Sequence, residues 1–552
     1  MQARKVIHLD IPTTPGLRGI SGSALYRAGT TSPPAIHKRH PNCYSGLMEP
    51  QRLRLPAALF RTTVVLLWLI LFGLLLRRDY FIDTIDMQES TAIAQAQREE
   101  YQGIYFHERK IGFVASTFEP REDGSFTLDQ RARMTLNVAG GKHTIDMQLT
   151  AVVTADSRLR DFNLSFHSPY YRMRADGRVD GSSVSFRLET ASATITDTVR
   201  LPAPPMLSTS RRAYLLKQGL AEGKKLRIPW FDPLTLTGKD SVIEYRGRDK
   251  ELIHGRVQNL HLFVENVAGA RVSSWLDDHG DVLKEESPAG FVFLKEPKFK
   301  ALADNDEIPE LLAAVSARLV GTMPALDGLR QMRYRLEFPD DGGFRLNSGR
   351  QRYAGGILTI DRESLPPAPG APAACRAGAA DLAATRMVQA GHPKITALAA
   401  EIAGGIPSPS EKLRAIAAWV YGNLEKRPVL GLPDALTVLD SRIGDCNEHA
   451  VLFAALARAA GIPCRIAAGV TYLKGAFYYH AWNEACIDGH WISVDTTTNQ
   501  LPADLGHIKF VEGEFRDQVR IGALLGQLSI EPLPPAEGTS PAADHPQPQE
   551  KP

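Results

Sequence analysis

Hydrophobic and polar residues alternate along much of the chain between residues 100 and 363. Ala132, Met134, Leu136 and Val138 alternate with polar neighbours, and Ile145, Met147, Leu149 and Ala151 do so again. Ala139-Gly140-Gly141-Lys142 lies between them and reads as a turn. A period of two puts one set of side chains on one face, so the pair reads as a hairpin with one buried side. Phe162, Leu164 and Phe166 continue the pattern, as do Val184, Phe186 and Leu188. Asp176-Gly177, Asp180-Gly181 and His279-Gly280 read as further turns. Residues 100–363 are therefore expected to form an antiparallel β-rich domain, or two related ones, with one helix at 309–319. The region has no clustered Cys/His ligands and no nucleotide loop. It fits a binding or positioning domain and a plain scaffold alike.

One apolar run has no such alternation. Residues 62–76 read TTVVLLWLILFGLLL, without a charge, and 57–60 extend the run past Arg61. At ~1.5 Å rise per residue, 57–76 is long enough for the ~30 Å of a bilayer core. Arg77-Arg78 ends it, and no small-residue cleavage site follows. A single transmembrane helix acting as an uncleaved signal anchor is expected. Arg52, Arg54 and Arg61 flank it upstream, which favours a cytoplasmic N-terminus. The large C-terminal part would then be periplasmic, with the inner membrane as a partner. Residues 1–56 are rich in Pro, Gly, Ser and Thr and read as disordered. Met48 is an alternative start to Met1.

A helical period replaces the β period further on. Residues 364–375 form a Pro-rich linker, LPPAPGAPAA at its centre. After it, Ser408-Pro409-Ser410-Glu411 has the signature of a helix start, with Ser408 as N-cap and Glu411 closing a capping box. Leu413, Ile416, Ala417, Val420 and Leu424 then share one face. Residues 385–525 are read as a separate α+β domain, and 532–552 as a disordered tail.

Composition adds limits. The chain has 552 residues, with Lys+Arg 64 against Asp+Glu 62, so its net charge is +2 and nothing favours nucleic acid as a partner. Five cysteines exclude a disulfide-dense scaffold, and the odd number leaves at least one thiol unpaired within the chain.

The candidate chemistry lies in residues 439–498. Gly444-Asp445-Cys446-Asn447-Glu448-His449-Ala450 precedes an apolar run in which Val451, Leu452, Ala455, Leu456 and Ala459 share a face. Asp445 suits the N-cap and Glu448 completes a capping box, which puts Cys446 at the first helical position. The dipole end there is expected to favour thiolate over thiol. Three strands follow, at 464–470, 480–487 and 491–496. A two-residue Asp488-Gly489 turn sets Trp482 opposite Asp495 and makes His480 the diagonal neighbour of Asp495. Cys446, His480 and Asp495 then supply nucleophile, base and orienter. His449, three residues after Cys446, is a rival partner. A zinc site from Cys446, His449, Cys464 and His490 has no standard ligand spacing. A turn centred on Gly475 would bring Cys464 and Cys486 together, either as a disulfide or as two packed thiols. Cys43 and Cys375 receive no role.

These residues are recognisable. GDCNEHAVLFAALARAAGIPCR followed by YYHAWNEACIDGHWISVDTT resembles the transglutaminase-like superfamily of papain-related folds. In that family a Gly-x-Cys helix start, a His-Ala-Trp strand and a Val-Asp strand carry a triad. The resemblance spans about 385–500 and implies Cys446 as nucleophile, His480 as general base and acid, and Asp495 as orienter, with no metal or organic cofactor. Cys464 stands where alanine is usual, and Asn483 where a small apolar residue is usual. The whole layout is similar to membrane-anchored bacterial envelope proteins with this domain. A cysteine hydrolase acting on a protein or peptide of the cell envelope is expected. A cross-linking enzyme and a non-catalytic binding scaffold are the alternatives.

Overall fold

The computed structural model describes residues 83–84, 98–207, 216, 221–267, 270–304, 307–311, 316–339, 343–367 and 375–534. All lie in one compact unit that begins at Leu71. The expected disordered stretch 1–56 and membrane helix 57–76 fall outside these residues, as does 368–374 of the linker. Among the described residues no helix is long and apolar enough to cross a membrane.

Two antiparallel meanders, with the short strand Asp83–Thr84 added in parallel beside Lys225–Asp232, make one barrel-like sheet of fifteen strands. One runs from Arg98–Phe106 to Thr194–Arg200, the other from Lys225–Asp232 to Phe291–Lys295. They join where Phe291–Lys295 pairs with Arg98–Phe106. The alternating residues set the buried side: Leu128, Leu136, Val138, Leu149, Leu164, Val184 and Leu188 all belong to one apolar core. The Ala139-Gly140 turn takes two residues, both at positive φ, and strand resumes at Gly141. Asp176-Gly177 is not a turn. Both residues lie within the strand Tyr171–Asp180, where a Cβ on Gly177 would come within 2.4 Å of the Phe162 ring. Glycine is there because an aromatic ring covers the backbone.

A second sheet is built from distant pieces. Arg318–Leu319, Gln331–Glu337, Gln351–Ala354 and Ile357–Asp361 are joined by Ser529–Leu533. Two expectations are corrected here. Arg318 and Leu319 are strand, not the end of a 309–319 helix, because their backbone pairs with Ser529 and Ile530. Pro532 and Leu533, read as tail, pair with Tyr334 and Arg333.

The third layer holds the candidate chemistry. Its sheet has four strands: Cys464–Leu473, Ala476–Ile487, His490–Val494 and His507–Glu512. Helices Pro393–Ala403, Pro409–Asn423, Ala435–Ser441 and Cys446–Ala459 share a core with it through Leu413, Ile416, Val420, Leu452, Leu456, Ile466 and Ala485. A second core joins it to the five-stranded sheet through Tyr334, Leu358, Val470, Phe477 and Phe510. The Cys446 helix is buried from Glu448 to Arg458 on every side. A helix buried all round is a central one, and this one packs against the strand Ala476–Ile487 that carries His480.

Candidate active site

The start of the Cys446 helix is built as its residues dictate. The Asn447 N–H donates to Asp445 Oδ1 at 3.0 Å, and the Asp445 N–H donates to a Glu448 carboxyl oxygen at 2.9 Å. Glu448 must fold back over Gly444 to do so. A Cβ on Gly444 would lie 2.2 Å from Glu448 Cβ, which explains a glycine at this position. The cap leaves Cys446 as the first helical residue.

His480 and Asp495 meet through the hairpin. Asn483 pairs with Val494 and Ile487 with His490, around a two-residue turn with Asp488 and Gly489 at positive φ. This register puts Asp495 diagonal to His480, and His480 Nε2 lies 2.9 Å from Asp495 Oδ2. With Nε2 donating to the carboxylate, Nδ1 is the ring nitrogen left to accept a proton. The Ala481 N–H, next along the strand, donates to the Cys446 sulfur, and the Asp495 charge also acts on that sulfur.

The electrostatics at Cys446 act in opposite directions. Burial pushes the Cys446 thiol well above its ordinary range, and Asp445, Glu448 and Asp495 push it further, against the single Ala481 N–H. Desolvation therefore opposes the helix N-terminus at this sulfur. Burial and the neighbouring Asp445 also raise the Glu448 carboxyl.

His507 and Asp504 were not singled out in the sequence. His507 Nε2 donates to Asp495 Oδ2 at 3.1 Å and Nδ1 to Asp504 Oδ1 at 2.9 Å. Burial penalises the charged ring, but the two carboxylates outweigh it and raise the His507 pKa. Burial opposes ionisation of Asp495 as well, yet His480 and His507 hold its carboxyl well below the usual range. The Thr497 N–H donates to Oδ1 at 2.8 Å, and the Thr498 hydroxyl bonds to Oδ2. Trp482 stacks on the His480 ring at 6.2 Å and meets His507 edge-on at 5.3 Å. The available signal for His507 was the alternation in His507-Ile-Lys-Phe, which marks a strand but not its partner.

His480, Asp495 and His507 also form a candidate metal-ligand set, with ligand atoms within 4.8 Å of one another. One Asp495 oxygen already accepts from both rings, so a metal would have to replace those two hydrogen bonds. The set Cys446, His449, Cys464 and His490 is not assembled. His449 Nδ1 is bonded to the Asp445 carbonyl at 2.7 Å, and burial lowers its pKa. Cys464 is buried in the core, its thiol pushed up to about 12 by burial.

The cysteine pairing is a correction. Cys375 and Cys486 form a disulfide, and Cys446 and Cys464 are free. The turn between the strands is Lys474-Gly475, with Leu473 opposite Ala476, so Cys464 opposes Ala485. Cys486 is one residue further and faces the other side of the sheet. There it meets Cys375, whose N–H donates to the Gly489 carbonyl at 2.7 Å. The two unusual residues also find reasons. Asn483 Nδ2 donates to the Ala450 carbonyl at 3.0 Å, tying helix to sheet, and its side chain also bonds to Cys464.

Residues 396–496 match the transglutaminase-like superfamily core. No curated protein matches the chain. Among solved structures, a proposed cysteine protease from Cytophaga hutchinsonii aligns at 22% identity over 36% of this chain and 83% of its own, with a TM-score of 0.26. The periplasmic domain of TgpA from Pseudomonas aeruginosa, bound to ethylmercury, aligns at 21% identity over 32% and 77%, with a TM-score of 0.22. A β-barrel-like protein of a domain of unknown function from Brucella abortus aligns at 11% identity over 37% and 96%, with a TM-score of 0.30. At these scores the superpositions carry no argument about activity. The matched segment holds the Gly-x-Cys helix start, the His-Ala-Trp strand and the Val-Asp strand, and the C-terminal part of this chain therefore carries a transglutaminase-like domain.

Proposed function

We propose that the chain is a membrane-anchored, periplasmic cysteine enzyme that transfers an acyl group from an amide to water through a thioester on Cys446. The observation that carries the reading is the His480–Asp495 hydrogen bond of 2.9 Å, beside a sulfur that accepts the Ala481 N–H. His480 Nδ1 takes the thiol proton as sulfur attacks the amide carbonyl. The helix N-terminus stabilises the oxyanion. The imidazolium, held by Asp495, returns its proton to the leaving amine, and the amide C–N bond breaks. Water then attacks the thioester with His480 as base, releasing the acid and restoring the thiol.

Hydrolysis of a peptide or isopeptide bond is favoured over cross-linking because water is the abundant acceptor. The Cys375–Cys486 disulfide supports an oxidising compartment, and the 57–76 run supplies the anchor. A reporter fused after Pro552 is expected to be active only outside the cytoplasm; activity confined to the cytoplasm overturns the topology. For the chemistry, exposure of the protein to envelope extract is expected to leave an acyl adduct on Cys446, seen by mass spectrometry. A Cys446→Ala variant with full biological activity would instead favour the non-catalytic scaffold.

A further inference from the structure

The barrel-like sheet has an apolar tip at one end. The strands Thr237–Ile253 and Arg256–Val267 turn at His254-Gly255, both at positive φ, and Leu252 lies directly opposite Val257. One face of this hairpin is satisfied, with Ile253 and Leu260 buried beside Trp275. On the other face Leu252 is 65% exposed and Val257 69%. Next to the tip lies the helix Lys298–Ala301, which buries Ala301 and leaves Phe299 80% exposed. His254 joins the two pieces. Its Nε2 donates to the Lys295 carbonyl at 2.7 Å, and its Nδ1 accepts from the Lys300 ammonium at 3.4 Å. Leu252, Val257 and Phe299 are the three most exposed large apolar side chains among the described residues, and the fold gathers them at one place.

The charges around the tip leave a positive surplus. Lys250 and Arg256 are exposed and make no ion pair among the described residues. The nearby acids are engaged: Glu251 by Lys284 at 2.8 Å, Glu296 by Lys300 at 2.6 Å, Glu99 by Lys298 at 3.5 Å, and Asp249 by the Trp275 N–H at 3.0 Å. Asp278 is shared by Arg248 and His261, two residues back along each strand from Lys250 and Asn259. Asp304 acts on Lys110 and Arg133, further round the sheet. The tip also points where the chain comes in. Asp83–Thr84 runs parallel to Lys225–Asp232, with Asp83 opposite Leu226, so the chain enters at the Lys225 end. Lys225 is opposite Glu244, and Thr237–Ile253 continues past that end from Glu244 to Ile253, roughly 25–30 Å. From Leu76, the end of the apolar run, to Asp83 the chain spans at most ~25 Å. A surface within reach of Leu76 is therefore within reach of the tip.

We infer that Leu252, Val257 and Phe299, flanked by Lys250 and Arg256, rest on the surface of an anionic lipid bilayer, the one entered by residues 57–76. The inference rests on the anchored reading above and adds a second attachment to it. An exposed apolar patch with a polar rim marks a surface that is covered in use. Apolar side chains beside Lys and Arg suit the boundary between headgroups and acyl chains, where the ammonium and guanidinium groups meet lipid phosphates. A single anchor leaves the sheet free to swing. A second contact fixes its tilt and, because barrel and catalytic layer belong to one compact unit, the height of Cys446 above the membrane. The barrel then acts as a stand that sets where substrate is met.

The test uses the full chain reconstituted in vesicles of phosphatidylglycerol and phosphatidylcholine, with and without bromine on the acyl chains. Val257→Trp puts a fluorophore at the tip. Leu382→Trp is the control, at an exposed position beside Ala383, whose carbonyl accepts from Arg458 of the catalytic layer. Bromine is expected to quench about half or more of the emission that Val257→Trp adds, and to leave the emission that Leu382→Trp adds unchanged. Adding Leu252→Glu and Phe299→Glu is expected to abolish the quenching, and phosphatidylcholine alone to weaken it. The single substitutions, at exposed positions, give the same direction if the pair reduces folding. Equal emission with and without bromine, quenching that survives both glutamates, or a dimer in detergent that Leu252→Glu dissociates overturns the inference. Extraction with alkaline carbonate reads the anchor separately. A chain that stays in the vesicles without quenching contradicts the tip alone; one that carbonate releases although its tip was quenched contradicts the anchor alone.

Discussion

His507 holds Asp495 from one side while His480 holds it from the other, both through the same carboxylate oxygen, at 3.1 and 2.9 Å. The second imidazole is tied down at its far nitrogen by Asp504. Asp495 is thus an ionised acceptor with a fixed direction, and His507 is a positioning residue. Replacing His507 by Gln is expected to lower turnover by about tenfold or more without blocking substrate binding. It also removes one of the two rings that hold the Asp495 pKa down, so the acid limb of the pH–rate profile moves to higher pH. A fall in turnover with an unmoved acid limb would mean a purely structural role.

The same pair makes stability depend on pH in two opposite directions. His507 has a raised folded pKa, so its contribution is complete below the unfolded histidine value of ~6.5 and lost as pH rises through the folded value. Asp495 has a depressed one, so its contribution is present above ~3.9 and lost as pH falls through the folded value. Urea midpoints are expected to decline above about pH 6.5 in the unsubstituted chain and to decline less in His507→Gln.

A buried ion cluster lies on the same sheet. Lys509, 1% exposed, bonds Glu484 at 2.7 Å and Glu512 at 2.8 Å, and Arg465 reaches both carboxylates. Lys509→Met strands buried negative charge and is expected to cost about 3–5 kcal/mol in urea unfolding. Adding Glu484→Gln to that variant is expected to recover part of the loss. A Lys509→Met chain as stable as the parent would show that the cluster contributes nothing.

Thiol labelling checks the disulfide directly. In the denatured, unreduced chain Cys446 and Cys464 are expected to take iodoacetamide, and Cys375 and Cys486 only after reduction. Cys375→Ser with Cys486→Ser is expected to lower stability by about 2–5 kcal/mol. Label on Cys486 before reduction contradicts the pairing.

The site was legible in the sequence where local rules govern it. The Asp445 cap, the Asp488-Gly489 turn and the resulting diagonal of His480 and Asp495 each follow from a few consecutive residues. What was not legible depends on register or on distant chain. One residue of register at Lys474-Gly475 turned Cys464 away from Cys486. His507 reaches Asp495 from a strand whose neighbour in the sheet lies some 40 residues earlier. Ser529–Leu533 completes a sheet begun at Arg318. The thiol's raised pKa comes from burial, which a capping motif does not reveal. The apolar run at 57–76, expected from its sequence to span a membrane, lies outside the described residues.

The central claim is that Cys446 forms a thioester with His480 as its base. Its most direct test is single-turnover acetylation by p-nitrophenyl acetate, with the acetyl group located by mass spectrometry, in the parent chain and in His480→Ala. The account predicts one equivalent of nitrophenolate, the acetyl group on Cys446, and a rate about 100-fold or more lower in His480→Ala. Equal rates in the two chains, or acetylation that bypasses Cys446, would contradict it.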